Sequence, residues 1–241
     1  MDQVTIFGDI HANWPALQAA WADMNARGLG YRYCLGDLVG YGTSPNEVID
    51  FIQQHQVPTI MGNYDHGVGQ DSDDCGCAYT NPFAEALGKR SIAWTNARTS
   101  AAGKVFLRQL PANIPLKLGG LNVLLVHGSP RRINEYLFED RPTSSVERLM
   151  DQTGVDVLVC GHTHLPYHKV LPSGRQVVNA GSVGKPKDGD PRAGYVVLSA
   201  VDTDLSVDFI RVPYPVEQAA SDIEASEMPH EFAAMLRAGR G

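Results

Sequence analysis

Short apolar runs recur along the first two thirds of the chain, separated by stretches of helical periodicity. The runs cover residues 4–7, 31–35, 59–61, 121–126 and 155–160. Each is nearly unbroken rather than alternating, the pattern of a strand covered on both faces. Between the first two, the spacing predicts a helix over 14–25, with Asn13 placed to cap it. A second helix is expected over 45–55, where Ser44-Pro45-Asn46-Glu47 reads as a capping box with proline at the first helical position. Ser144-Ser145-Val146-Glu147 reads as the start of another helix ahead of the run at 155–160. Repeated strand, helix and strand predict parallel strands joined by right-handed crossovers.

The last third has a different texture. Short strands are expected at 167–170, 176–179, 195–199 and 207–212, separated by turn signals such as Pro172-Ser173-Gly174, and they read as antiparallel. Helical patterns follow at 216–224 and 231–237. Residues 70–109 interrupt the alternation with a mostly helical insertion. There is no internal repeat and no low-complexity tract, so residues 1–241 read as a single α/β domain.

Composition narrows the function. At 241 residues, a compact fold buries roughly 70% of its unfolded surface, so its core needs no disulfide or zinc staple. Twenty Lys and Arg stand against 27 Asp and Glu, for a net charge of −7. Such a surface grips a phosphate polymer poorly, so non-specific nucleic-acid binding is not expected. A small phosphate ester held at a local metal site remains open. No apolar run approaches about 18 residues, so no membrane span is expected. The chain enters its first apolar run after Met1-Asp2-Gln3 without a basic leader, and a cytoplasmic location is expected. Four cysteines then need not pair. Cys34 and Cys160 sit in strand-like runs and read as small buried hydrophobes.

The residues that follow the apolar runs carry the chemistry. The run at 4–7 leads into Gly8-Asp9-Ile10-His11, and the run at 31–35 into Gly36-Asp37. The run at 59–61 leads into Gly62-Asn63-Tyr64-Asp65, that at 121–126 into His127-Gly128, and that at 155–160 into Gly161-His162-Thr163-His164. The carboxyl ends of parallel strands share one edge, where ligands bind. Asp9, His11, Asp37, Asn63, His127, His162 and His164 would therefore meet in one place. Seven donors are too many for one tetrahedral ion and suit two divalent ions that share a ligand. The i, i+2 spacing in Asp9-x-His11 and His162-x-His164 lets an extended segment aim both side chains the same way.

In order and combination, these motifs resemble the calcineurin-like metallophosphoesterases, and look closest to the small bacterial branch related to the YfcE-type phosphodiesterases. The resemblance runs from residue 8 to about 184 and leaves the insertion uncovered. It implies a four-layer α/β/β/α sandwich of two mixed sheets, the metallophosphatase fold. It further implies that Asp9, His11 and His164 bind one metal ion, that Asn63, His127 and His162 bind a second, and that Asp37 bridges them. The expected cofactors are two divalent transition-metal ions (Mn, Fe, Ni, Co or Zn, with Mn favoured), because nitrogen-rich ligand sets suit these better than magnesium.

The expected activity is hydrolysis of a small phosphodiester or phosphomonoester, nucleotide-derived esters included, by a hydroxide bridging the two ions. The rival classes are a phosphoprotein phosphatase and a metal-free protein-interaction scaffold. Many family members carry histidine directly after the asparagine, whereas this chain has Tyr64. His66 is the expected substitute as proton donor, with Asp65 orienting it. Tyr64 is expected in the pocket wall, against substrate. Asn179 and Ser182, in the Gly/Ser turn after the run at 176–179, and Arg131, after His127, are expected to contact phosphate oxygens. Lys185, Lys187 and Arg132 are placed where they could pair a second phosphate, but are read mainly as solvated surface charges. Cys75-Gly76-Cys77, beside acidic residues, is read as part of a lid over the centre fixed by ordinary packing, with an extra metal or redox element as the alternative. His55, His168 and His230 read as structural or surface residues.

Overall fold

A computed structural model describes residues 1–79 and 81–240; Thr80, inside the expected insertion, and Gly241 lie outside the described residues. In chain order the elements are β1 (Gln3–Phe7), α1 (Trp14–Ala26), β2 (Arg32–Cys34), α2 (Pro45–Gln54), α3 (Asn63–Gly69), α4 (Pro82–Arg98), α5 (Ala101–Gln109), β3 (Asn113–Leu118), β4 (Leu121–Val126), α6 (Thr143–Thr153), β5 (Val157–Cys160), β6 (Tyr167–Val170), β7 (Gln176–Asn179), β8 (Ala193–Val201), β9 (Asp204–Val212), α7 (Val216–Glu224) and α8 (Glu231–Ala238). The strands form two mixed sheets, ordered β2-β1-β8-β9 and β3-β4-β5-β7-β6. Pairing is parallel between β1 and β2, β4 and β5, and β5 and β7. The late strands do not build a sheet of their own. The β8–β9 hairpin extends the first sheet, and β6 pairs antiparallel with β7 at the edge of the second.

The unbroken apolar runs follow from the layering. On β1, Val4 and Ile6 face the second sheet and meet Val123, Leu125, Val157 and Val159 in a shared core. Phe7 packs instead with Ala16, Leu17 and Ala20 of α1. On β5 the sides alternate the same way: Leu158 and Cys160 pack with Val146, Leu149 and Met150 of α6. Each central strand is thus covered on both faces, sheet on one side and helix on the other, in the four layers expected. Cys34 and Cys160 are fully buried.

Several local expectations are corrected. Residues 59–61 form no strand; they touch β2 through one bridge, Cys34 to Thr59. Pro58 precedes a run too short to build a ladder. Conversely, β3 was not among the expected strands; it is an edge strand, where the missing N–H of Pro115 is tolerated. Asn13 caps α1 as expected, its side chain accepting from Ala16 N at 3.2 Å. Ser44 makes no such bond at α2, and α6 starts at Thr143 after Pro142 rather than from a serine cap. The insertion does contain two helices, α4 and α5.

Candidate metal centre

All seven ligand-type side chains come together at the ends of the inner strands. Asp9 and His11 lie in the β1–α1 loop, Asp37 after β2, Asn63 at the start of α3, His127 after β4, and His162 and His164 after β5. All seven are buried. They form two groups: the donor atoms of Asp9, His11 and His164 lie within 4.8 Å of one another, as do those of Asp37, His127 and His162. Asn63 joins the second group, with Oδ1 3.0 Å from His127 Nε2. Asp37 Oδ2 sits between the groups, 3.6 Å from His11 Nε2 and 3.4 Å from His127 Nε2.

Backbone carbonyls fix the rings. Nδ1 of His11, His127 and His164 lies 3.0, 2.8 and 2.5 Å from the carbonyl oxygens of Val39, Leu35 and Lys185. A carbonyl only accepts, so each Nδ1 carries the proton and each Nε2 is turned inward. Burial lowers His11 to about 3 and His162 to about 4, and holds His164 well below the usual imidazole range. Their inward nitrogens are therefore bare lone pairs, and those of His11 and His164 face each other at 3.2 Å. Two such lone pairs repel unless a cation lies between them. Asp9 Oδ1 and His162 Nε2 are buried with no hydrogen-bond partner among the described residues. Orphaned acceptors of this kind are what a metal centre leaves behind. The residues fit two divalent ions.

His127 differs. Burial pushes its pKa down, but the Asp37 carboxylate overcomes this and holds it up at about 10. Burial raises Asp9, against the pull of His127.

The backbone also carries strain here. Asp9, His11, Asp37, His162 and His164 all have φ between 48° and 65°, in the left-handed region. That conformation costs on the order of 1–2 kcal/mol for a residue with a Cβ. Two glycines make the close approaches possible. A Cβ on Gly62 would lie 2.1 Å from Asp37 Oδ1, and one on Gly161 would lie 2.5 Å from Asp9 Oδ2. Hydrogen bonds hold the carboxylates from behind: Asp37 Oδ1 accepts from Tyr64 N at 2.8 Å, and Asp9 Oδ2 from His162 N at 3.0 Å.

Other sequence-expected site residues turn out to be supports. Asp65 does not orient His66. Its Oδ2 accepts from Asp37 N (2.7 Å) and Gly62 N (2.9 Å), and its Oδ1 from Leu38 N (2.8 Å), so it ties the Asp37 loop to α3. His66 itself is exposed. Tyr64 is only 1% exposed, packed edge-on to His11 and tilted against Tyr41, so it offers no face to a substrate. Asn179 donates to Gly161 O and Thr163 Oγ1 and accepts from Gly181 N. Ser182 donates to Asp9 O and accepts from Lys185 N. Both are fully buried and spent on shaping the ligand loops, so neither reaches a phosphate. Arg131 is exposed and paired with Glu135.

Two neighbours of the centre, Tyr136 and Tyr41, escaped the sequence reading, and a third, Cys77, was read only as part of a lid. Tyr136 lies over the His162 ring at 4.1 Å, and Tyr41 packs edge-on to His11 at 4.9 Å. Cys77 Sγ is 3.3 Å from Asn63 Nδ2, whose other contact is the carbonyl of Cys75. The Cys75-Gly76-Cys77 segment thus orients the Asn63 amide, leaving its oxygen toward His127. No local motif marks Tyr41 or Tyr136. Lys185, read as a surface charge, is in fact 5% exposed, and burial, with Lys187 adding to it, lowers its ammonium to about 7.

Two buried groups of candidate metal donors with Asp37 between them, set at the edge of paired mixed sheets, suit the metal-dependent phosphoesterase class. The chain belongs to that class by descent: the model of the calcineurin-like phosphoesterase superfamily domain matches residues 3–203. An uncharacterized Methanocaldococcus jannaschii protein, MJ0912, is 31% identical over 98% of both chains. A metallophosphoesterase from Sphaerobacter thermophilus superposes with a TM-score of 0.77 at 27% identity, covering 99% of both chains. The hypothetical protein PH1004 from Pyrococcus horikoshii superposes with a TM-score of 0.83 at 26% identity over the same shares. Membership places the chain among hydrolases of phosphate esters. Among the described residues, no helix is long and apolar enough to cross a membrane.

Proposed function

We propose that this chain, read as one domain over residues 1–241, hydrolyses a small phosphodiester or phosphomonoester with two divalent transition-metal ions, manganese favoured. The observation that carries this is the pair of facing Nε2 lone pairs 3.2 Å apart, with Asp37 Oδ2 placed to serve both groups. Asp9, His11 and His164 would hold one ion and Asn63, His127 and His162 the other, with Asp37 shared. When bound, such ions supply Lewis acidity to phosphoryl oxygens and lower the pKa of water. The chain's own part is to fix the ligands. Carbonyls of Val39, Leu35 and Lys185 set three imidazole tautomers, and Asp65 and Tyr64 N lock the Asp37 loop. The surrounding apolar layers exclude bulk water, which strengthens each charge interaction inside.

The setting favours a small substrate over a phosphoprotein. The cleft beside the centre is walled by α4, α8 and residues 77–79, with room of small-molecule size. A metal-free scaffold would gain nothing from five strained ligand residues. A cytoplasmic setting agrees with four cysteines that are all free. The test is metal analysis of the purified protein, then a screen of cyclic nucleotides, bis-p-nitrophenyl phosphate and phosphopeptides with manganese and nickel. Two ions per chain and turnover of the small esters are expected. A metal-free protein that cannot be loaded, or turnover of phosphopeptides alone, would overturn the reading.

A further inference from the structure

Beside the centre lies a cleft of about 500 Å³, within the range of roughly 300–1,000 Å³ typical of small-molecule sites. Its wall is mostly carbon: Tyr41, Leu87 from α4, Tyr136 and Phe232 from α8. It adjoins both halves of the centre, because Tyr41 packs on His11 and Tyr136 on His162. Two cations, Lys185 and Lys187, line the same cleft.

These lysines are what the fold does not explain. Lys185 is buried, with its ammonium 4.7 Å from the centre of the Tyr41 ring and 6.0 Å from that of Phe232. Neither lysine has an ion-pair partner among the described residues, although most other cations buried in part here do: Arg141 has Glu135, Arg175 has Glu147, and Lys104 has Asp71. The charged neighbour of Lys185 is Lys187, a like charge. A buried cation facing aromatic rings and another cation is unfavourable unless an anion arrives. The ring faces compensate in part, as cation–π partners. The main-chain carbonyl of Lys185 holds His164, so the residue's backbone is fixed by the centre while its side chain is free to serve the cleft.

We infer that Lys185 and Lys187 form a second anion subsite, and that the substrate is an aromatic phosphate ester bearing a further anionic group, as a nucleotide-type ester does. This rests on the phosphoesterase reading and names its substrate class. The scissile phosphate would lie at the centre, the flat group between Tyr136 and Phe232, and the second anion at the two ammonium groups. Flat rings gain from stacking against aromatic walls, and charge-assisted contacts to Lys fix the far end.

Three measurements decide the matter. First, the manganese-loaded protein is titrated calorimetrically with adenosine 5′-(α,β-methylene)diphosphate, methylenediphosphonate and adenosine. The first should bind at least tenfold more tightly than either part. Equal affinity for the diphosphonate alone would remove the aromatic subsite. Second, the preference for an aryl ester with a second phosphate over its singly charged counterpart should fall at least tenfold in Lys185→Met and in Lys187→Met, through KM. An unmoved preference in both would remove the anion subsite. Third, Lys185→Met without ligand should melt at or above the wild-type temperature, since it removes an unpartnered buried charge and keeps the chain shape. A lower Tm would show that the ammonium is satisfied by the fold and would overturn the assignment. If no ester is hydrolysed with any metal, the phosphoesterase reading fails, while the titrations and the melting temperature still judge the subsite.

Discussion

The floor and the wall of the candidate site are built on opposite principles. The floor is seven side chains on the ends of inner strands, every one buried, several in strained backbone and held from behind by backbone carbonyls or amides. The wall comes from helices and loops distant in sequence, with aromatic side chains that include the exposed Phe138. A metal centre needs donors fixed to fractions of an ångström, so it sits where the sheets are stiffest. A recognition wall needs area and shape, which helix faces supply with fewer constraints. The difference implies that changes in the floor strike catalysis and stability together, whereas changes in the wall shift selectivity.

The largest expected effect is at the shared carboxylate. Asp37→Asn keeps the volume and the bond from Tyr64 N but removes the charge between the two groups. Activity should fall about a thousandfold or more, roughly 4 kcal/mol of transition-state stabilisation. Metal content should fall from two ions toward one. Full activity with two ions would break the assignment of Asp37 to both groups.

Next is the support beneath it. Asp65→Ala leaves three buried N–H groups, of Asp37, Leu38 and Gly62, without an acceptor. At about 1 kcal/mol or more each, the loss should exceed roughly 3 kcal/mol, a fall in Tm of about 6–12 °C for a chain of this size. Thermal unfolding with and without manganese checks this. A catalytic defect with unchanged Tm would return Asp65 to the expected role of orienting His66.

The reading of Asp65 shows where sequence stops being informative. The convergence of the seven candidate ligands was legible because each is tied to the end of an apolar run, and the topology of parallel strands brings those ends to one edge. The role of Asp65 was not, because its partners Asp37 and Leu38 lie 28 and 27 positions away. Asn179 and Ser182 misled for a related reason: polar turn residues beside a site look like substrate contacts, yet both are buried and bonded to groups of the surrounding loops. Lys185 looks solvated in its Gly-Lys-Pro-Lys context. Tyr41, far upstream, and Phe232 of α8, some fifty residues later, cover it. β3 went unread, and as an edge strand it accommodates Pro115, which has no N–H to offer a neighbour.

The two halves of the floor should also separate by pH. His11 at about 3 and His162 at about 4 are already neutral at pH 6, whereas His127 stays protonated up to about 10 in the metal-free protein. An ion that binds His127 must displace that proton, so its affinity rises with pH below 10. One displaced proton gives up to tenfold per pH unit, hence about a hundredfold between pH 6 and pH 8. Calorimetry in buffers of different ionisation heat should detect the proton release, and His127→Gln should lose it. Equal release in the variant would place the proton elsewhere in the centre.

The smallest effect is expected at His66, and it tests the boundary between floor and surroundings. The ring is exposed, on a helix whose first residue, Asn63, belongs to the centre. Its expected partner, Asp65, has its oxygens committed to backbone amides, so no carboxylate fixes the ring or sustains its charge during proton transfer. A general acid held by nothing forfeits the positioning that makes such catalysis worth about 10²–10⁴. His66→Gln should therefore change turnover less than about twofold, equally for esters with good and poor leaving groups, because removing an unpositioned ring removes little transition-state stabilisation. A loss confined to poor leaving groups would show that substrate binding draws His66 inward, and the floor would then extend one turn along α3.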